Sequence, residues 1–168
     1  MTDLQSTYVT ALKNTHSLEL EALQAMERQV ERLERYPQMK AILEQHIEET
    51  KLQRDRLETA LDGQGASPSS VKEGALGLAG NLAAIFHAPA KDEILKNVYA
   101  DHALENYEIA AYRSLIAIAK RAGDARNVPA LEQSLAEEEA MAERVAAQIE
   151  PVTATYLELT LSGADASR

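Results

Sequence analysis

The sequence predicts an all-α fold: a bundle of four long helices, with a long connection between the second and third and a short helix near the C-terminal end. Three observations carry this. Ala, Leu and Glu, strong helix formers, dominate the 168 residues, while Val and Ile are sparse and scattered. Apolar residues recur in steps of three and four over long stretches, and no convincing alternation of period two is present. Proline and glycine punctuate that pattern at Pro37, Gly63, Gly123 and Pro129. The length suits one domain, residues 1–168, with one sizeable core.

The first helix is expected from about Asp3 to Arg35, capped by Thr2 or Asp3. Its stripe reads Tyr8, Leu12, Leu23, Met26, Val30 and Leu33, with Glu19 in the gap at the centre of that face. Tyr36-Pro37 ends it, because a residue before proline avoids the helical region. The second helix starts at Pro37, a favourable first position, and runs to about Leu61 on Met39, Ile42, Leu43, Ile47, Leu57 and Leu61. His46 and Thr50 lie inside that face and Glu49 on its flank. Residues 63–90 form the crossover. Its Val71–Phe86 stretch reads as a shorter helix with a small-residue face at Gly74, Gly77, Ala79 and Gly80, and His87 reads as a loop histidine.

The third helix is expected from about Asp92 to Ala122, with Gly123 past its end. Its stripe is Ile94, Val98, Ile109, Ile116 and Ala119. At about 100° per residue, Glu105 projects onto the middle of the stripe and Glu108 onto its edge. The fourth helix enters at Pro129 and runs to about Glu150 on Leu131, Leu135, Ala142, Val145 and Ile149. Glu138 sits at the centre of that face and Glu137 beside it. Pro151 ends or kinks it, Val152–Leu161 forms a last short helix, and 162–168 is a frayed tail.

The net charge of −10 argues against nucleic acid, which needs clustered Lys and Arg, and is compatible with attracting cations. With no cysteine there are no disulfides, thiolate metal sites or thiol nucleophiles. No secretory signal and no membrane span are legible, so a cytoplasmic protein is expected. The serines Ser6, Ser17 and Ser114 fit no nucleophile–base arrangement.

The two halves resemble one another. His16-Ser-Leu-Glu19 matches His102-Ala-Leu-Glu105, and Leu43-Glu-Gln-His46 matches Leu131-Glu-Gln-Ser134, with offsets differing by two residues. This predicts a pseudo-two-fold bundle. Each long helix then offers an inward ligand-type side chain at mid-length: Glu19, His46 with Glu49, Glu105 with Glu108, and Glu138. A carboxylate is rarely placed on a buried face without a partner, and four together need a cation between them. Two divalent metals satisfy this, and a carboxylate-rich set with one imidazole suits iron or manganese. His46-x-x-Glu49 and Glu105-x-x-Glu108 depart from the usual Glu-x-x-His order.

Glu44-Gln-His-Ile-Glu-Glu-Thr50, Asp92-Glu-Ile-Leu-Lys-Asn97, Glu105-Asn-Tyr-Glu-Ile-Ala-Ala-Tyr112 and Leu135-Ala-Glu-Glu-Glu-Ala140 carry a resemblance to the ferritin-like YciE/YciF family of uncharacterised stress-associated bacterial proteins. It spans roughly Leu12 to Ile149. It implies a ferritin-like four-helix bundle, a dinuclear site and a link to stress response. Where family members often carry Glu-His-Tyr-Glu, this chain has Glu105-Asn106-Tyr107-Glu108.

The functional expectation is a metal-binding protein of oxidative or general stress, working as a homodimer, in one of two versions: catalase- or peroxidase-like chemistry on peroxide or dioxygen, or ferroxidase activity or metal sequestration without turnover. The rival is a non-catalytic structural bundle whose buried acids pair with Arg28, Arg54, Arg56, Arg113 or Arg144. The environment of Glu105 discriminates the two. His16 and His102 read as core groups before ligands. Tyr112 shares the Glu105 face and either fills the core or hydrogen-bonds a carboxylate.

Overall fold

The computed structural model describes residues 3–68 and 92–167. These form four helices: α1 Asp3–Val30, α2 Pro37–Gly63, α3 Glu93–Ala122 and α4 Val128–Leu161. There is no strand among the described residues. The expected crossover helix Val71–Phe86, its small-residue face and His87 lie outside the described residues.

α1 packs on α2 and α3, and α4 packs on α3 and α2. The polar pairs show the directions. His16 meets Glu58, Tyr8 meets Asp124, Gln29 meets Asp101, Arg56 meets Glu137 and Lys120 meets Glu132. In every pair of neighbouring helices the numbers rise along one as they fall along the other, so each neighbour is antiparallel. Gln64 reaches Asp124 at one end of the bundle, whereas Arg32 pairs with Glu93 at the other. The points joined by the chain between α2 and α3 therefore lie at opposite ends, as a crossover requires.

The helix ends follow local chemistry. Past α3, Gly123 takes φ 81°, and the N–H groups of Gly123 and Asp124 reach back to Lys120 and Ala119. Gly65 does the same past α2 at φ 65°, its N–H and that of Ala66 donating to Asp62 and Leu61. These are left-handed glycine caps that satisfy the last carbonyls.

Two boundaries and the tail differ from expectation. α1 ends at Val30 rather than Arg35, because Arg32, Leu33 and Tyr36 make three-residue turns that swing Leu33 and Tyr36 into the core. α4 continues through exposed Pro151, so Val152–Leu161 extends it instead of forming a separate helix. Buried Val152, with Tyr156 and Leu159 packed on the core, holds the helical path beyond the missing N–H. The tail docks at one point, where buried Tyr36 donates from its hydroxyl to the carbonyl of Ala166 at 2.7 Å.

The core is split. One apolar cluster, at the α1–α2 turn, gathers residues such as Met26, Leu43, Ile94, Leu104 and Val145. The other, at the opposite end, gathers Tyr8, Leu12, Leu57, Leu115 and Leu131 among others. Between them at mid-height lies a buried polar layer: Glu19, His46, Thr50, Glu105, Glu108, Ser134 and Glu138. Leu12 is fully buried and Leu161 is 87% exposed. Leu12→Ala is expected to cost about 2–5 kcal/mol in denaturant unfolding, and Leu161→Ala less than about 0.5 kcal/mol. Equal effects would contradict the assignment of the core.

Candidate metal centre

All four helices contribute to the polar layer. The heptad-like stripes turn these positions inward, and the two flanking apolar clusters seal them from water. Glu19, His46, Glu105, Glu108 and Glu138 are each at most 3% exposed. His46, Glu105 and Glu138 each offer an atom within 4.8 Å of the others, a group able to hold a metal ion. His46 Nε2 stands 3.5 Å from Glu105 Oε2 and 3.5 Å from Glu138 Oε2. At that distance it makes a good hydrogen bond to neither.

The other ring nitrogen is engaged. His46 Nδ1 lies 2.9 Å from Glu49 Oε2, which also accepts from Arg144 Nη2 at 2.7 Å. Glu49 therefore sits behind the imidazole, linking it to an open groove of about 660 Å³ between α2 and α4 that Gln45, Glu137, Glu143 and Arg144 also line. Glu137 and Glu138 part company. Glu137 accepts from both Arg56 guanidinium nitrogens at 2.6 and 3.0 Å, while fully buried Glu138 turns into the centre.

The expected internal symmetry is visible here. Glu137 stands 88 residues after Glu49, and Arg144 stands 88 after Arg56. The two ion pairs, Glu49–Arg144 and Arg56–Glu137, are thus reciprocal between α2 and α4. Gln45 donates to Glu49 at 2.8 Å just as Gln133 donates to Glu137 at 3.0 Å.

Elsewhere, Tyr112 donates its hydroxyl to Glu19 Oε1 within the core. His16 Nε2 pairs with Glu58 at 3.0 Å, between α1 and α2. His102 is half-buried, and its Nδ1 has no hydrogen-bond partner. Arg113 pairs with Glu139 and Arg54 with Asp55. Among the described residues, none of the recorded arginine ion pairs ends on Glu19, Glu105, Glu108 or Glu138. Around Glu105 stand His46 and Glu138 instead.

One buried acid escaped the sequence reading. Asp101, one turn before Glu105, is 3% exposed and accepts from Gln29 at 2.8 Å with one oxygen, while its other oxygen has no partner. Its i−4 spacing from Glu105 was the available signal, but the stripe chosen for α3 passed over it.

Electrostatics in the layer follow from burial. Burial and the neighbouring Glu138 push Glu19 up to about 8, against some relief from Tyr112 and His46. Burial likewise holds Glu105 and Glu108 well above the carboxylate range. Asp101 rises to about 7 for the same reason, with Gln29 opposing. Burial works against a charged His46, but Glu138, Glu49 and Glu105 outweigh it and raise the imidazole to about 10. The His46 contact takes Glu49 down to about 2 against the cost of its partial burial, with help from Arg144.

The family model described as a domain of unknown function, DUF892, matches residues 3–158. The chain belongs to the DUF892 family. Solved structures agree. A protein from Xanthomonas campestris pv. campestris is 28% identical, with a TM-score of 0.79 over 95% of this chain and 99% of that one. The Escherichia coli stress protein YciF is 18% identical, with a TM-score of 0.71 over 89% of this DUF892 chain and 96% of its own. YcfI of Rhodopseudomonas palustris, provisionally called a structural protein, is 23% identical, with a TM-score of 0.69 over 87% and 94%. The YciE/YciF-like resemblance drawn from the motifs therefore holds, and the last two likenesses show the shared fold.

The titrations set the pH dependence of the metal-free protein. Glu19 and His46 bind their protons more tightly folded than unfolded. The stability they contribute is present in acid and is lost as pH rises, from 4.5 to about 8 for Glu19 and from 6.5 to about 10 for His46. Glu49 runs the other way, its contribution being lost as pH falls from 4.5 towards about 2. Metal-free protein should melt highest near about pH 5 and lower at about pH 8. A melting temperature that rises between those values would contradict the burial of these acids.

Proposed function

We propose that the buried layer is a dinuclear centre for iron or manganese, and that the protein uses it on a small oxidant, peroxide or dioxygen, during oxidative stress. One observation carries this reading. Six buried carboxylate oxygens, on Glu19, Glu105, Glu108 and Glu138, have no hydrogen-bond partner. Ionising these carboxyls in the closed layer is costly, which is why burial holds Glu19, Glu105 and Glu108 above the carboxylate range, and a cation among them relieves that cost better than a packed core does. The donor set of oxygens with one imidazole suits iron or manganese.

Each residue has a distinct part in this reading. Glu19, Glu105, Glu108 and Glu138 are the ligand carboxylates. His46 ligates through Nε2, and Glu49, accepting from Nδ1, fixes the tautomer and the ring orientation, as carboxylates behind metal-bound histidines do. Tyr112 holds one Glu19 oxygen and leaves the other for the metal. The bound ions would supply Lewis acidity and an open position for the oxidant. The groove above Glu49 offers a route from solvent.

The name of YciF as a stress protein supports the physiological part of this proposal. The rival, a structural bundle, is favoured by the complete Arg56–Glu137 and Glu49–Arg144 pairs, which hold α2 to α4 without help from any ion.

Elemental mass spectrometry on untagged protein purified without chelators tests the proposal. Close to two iron or manganese ions per chain are expected, lost in Glu105→Gln/Glu138→Gln. Saturating metal at neutral pH should add about 3 kcal/mol at a hundredfold excess over Kd, a melting shift on the order of 5–10 °C. No metal after anaerobic loading, together with a raised melting temperature in the double variant, would leave the structural bundle as the answer.

A further inference from the structure

His46, on α2, is held from both sides by α4. Its Nε2 faces Glu138 at 3.5 Å, while its Nδ1 lies 2.9 Å from Glu49 Oε2, which also accepts from Arg144 Nη2 at 2.7 Å. Glu138 and Arg144 both belong to α4. That helix therefore supplies a candidate ligand on one side of the ring and an anchor for the ring's partner on the other. Gln45, one turn before Glu49 on the same helix, donates to Glu49 Oε1 at 2.8 Å, whereas His46 and Arg144 share Oε2. Of these donors, Arg144 alone reaches in from another helix.

The two ion pairs across the α2–α4 seam differ in what they touch. Arg56 makes three hydrogen bonds, two to Glu137 and one to Ser134, and neither partner is a candidate ligand. Arg144 makes its bond to the carboxylate behind His46, and its Nε is buried without a partner. A part-exposed ion pair adds little to stability, and a buried N–H with no acceptor subtracts from it. Bracing the helices is thus a weak reason for Arg144 to stand where it does. Glu49 also lines the open groove of about 660 Å³, where water competes for its oxygens. Without the guanidinium, this flexible side chain is free to turn outward and leave Nδ1 unmatched.

We infer that Arg144 is a positioning residue for His46. Acting through Glu49, it holds the ring so that Nδ1 keeps its proton and Nε2 is the nitrogen turned towards Glu105 and Glu138 for a divalent transition-metal ion. A carboxylate only accepts, so the nitrogen facing Glu49 is the one that donates. The inference rests on the metal reading above, but only on the group formed by His46, Glu105 and Glu138, for which one ion suffices. Loss of a group that orients a metal-bound histidine changes affinity by about 10- to 100-fold. Arg144 stands one contact further out, so a loss of about tenfold is expected.

Arg144→Gln, Arg144→Lys and Arg56→Gln in the full chain test this with two readouts. One is the Nδ1–H signal of His46 in the NMR spectrum of metal-free protein, identified by its loss in His46→Gln. The other is Co²⁺ affinity from anaerobic calorimetry, with visible absorption reporting the ligand field. Arg56→Gln should keep the wild-type signal and affinity, although it removes the same kind of ion pair. Arg144→Gln should shift or broaden the signal, alter the cobalt spectrum and weaken binding about tenfold. Arg144→Lys should recover part of both, because an ammonium can still hold Glu49. Equal weakening in Arg144→Gln and Arg56→Gln, or wild-type signal and affinity in Arg144→Gln, would overturn the positioning role and leave the metal reading standing. No heat and no cobalt spectrum in the wild-type chain would overturn both.

Discussion

Four carboxylates enclosed by helices, with a single imidazole among them, are the constraint on which this structure turns. Apolar clusters flank the layer on both sides, and the arginines nearest the acids are committed elsewhere. Arg56 and Arg144 lie close by, yet each is occupied by an acid at the rim, Glu137 or Glu49. The rim is electrically complete and the interior is not. That contrast is sharper evidence than the number of acidic residues, since an acidic surface needs no explanation beyond solubility.

The arrangement depends on the apolar clusters above and below. They exclude water from the layer and hold its side chains on rigid helices rather than loops, which favours a fixed ligand geometry. The reciprocal ion pairs add a second restraint by fixing α2 against α4 at two points related by the internal repeat. His46 links the two levels: one ring nitrogen faces the layer, and the other faces Glu49 and through it Arg144 and the groove.

Much of this was legible because helical periodicity reports which face a residue occupies. Glu19, Glu105 and Glu138 stand at the centres of apolar stripes, and all three are buried in the layer. Gly123 marked the end of α3 through the backbone geometry that glycine permits. Periodicity does not report partners. Arg56 and Arg144 were plausible counter-ions for the buried acids, but tertiary packing assigns them to Glu137 and Glu49. Nor could local signals place the end of α1. Glu31-Arg32-Leu33-Glu34-Arg35 has good helix propensity, and the turn there is set by the burial of Leu33 and Tyr36. Pro151 misled in the opposite sense, since a proline's local cost was outweighed by packing on both sides of it.

The split core also bears on how the chain selects one arrangement of its helices. Smooth leucine stripes tolerate sliding: a helix displaced by one turn, about 5.4 Å, still finds apolar neighbours. A polar layer at mid-height removes that freedom. Shifting α1 alone would drive Glu19 among leucines of one cluster and bring an apolar residue to face Glu108 and Glu138. Swapping the neighbours of α2 and α3 would separate Arg56 and Arg144 from their acids. The layer thus acts as a register mark, penalising every misaligned packing more than the native one. A bundle with no disulfide and few aromatic residues to key its interior can reach a single topology by this means.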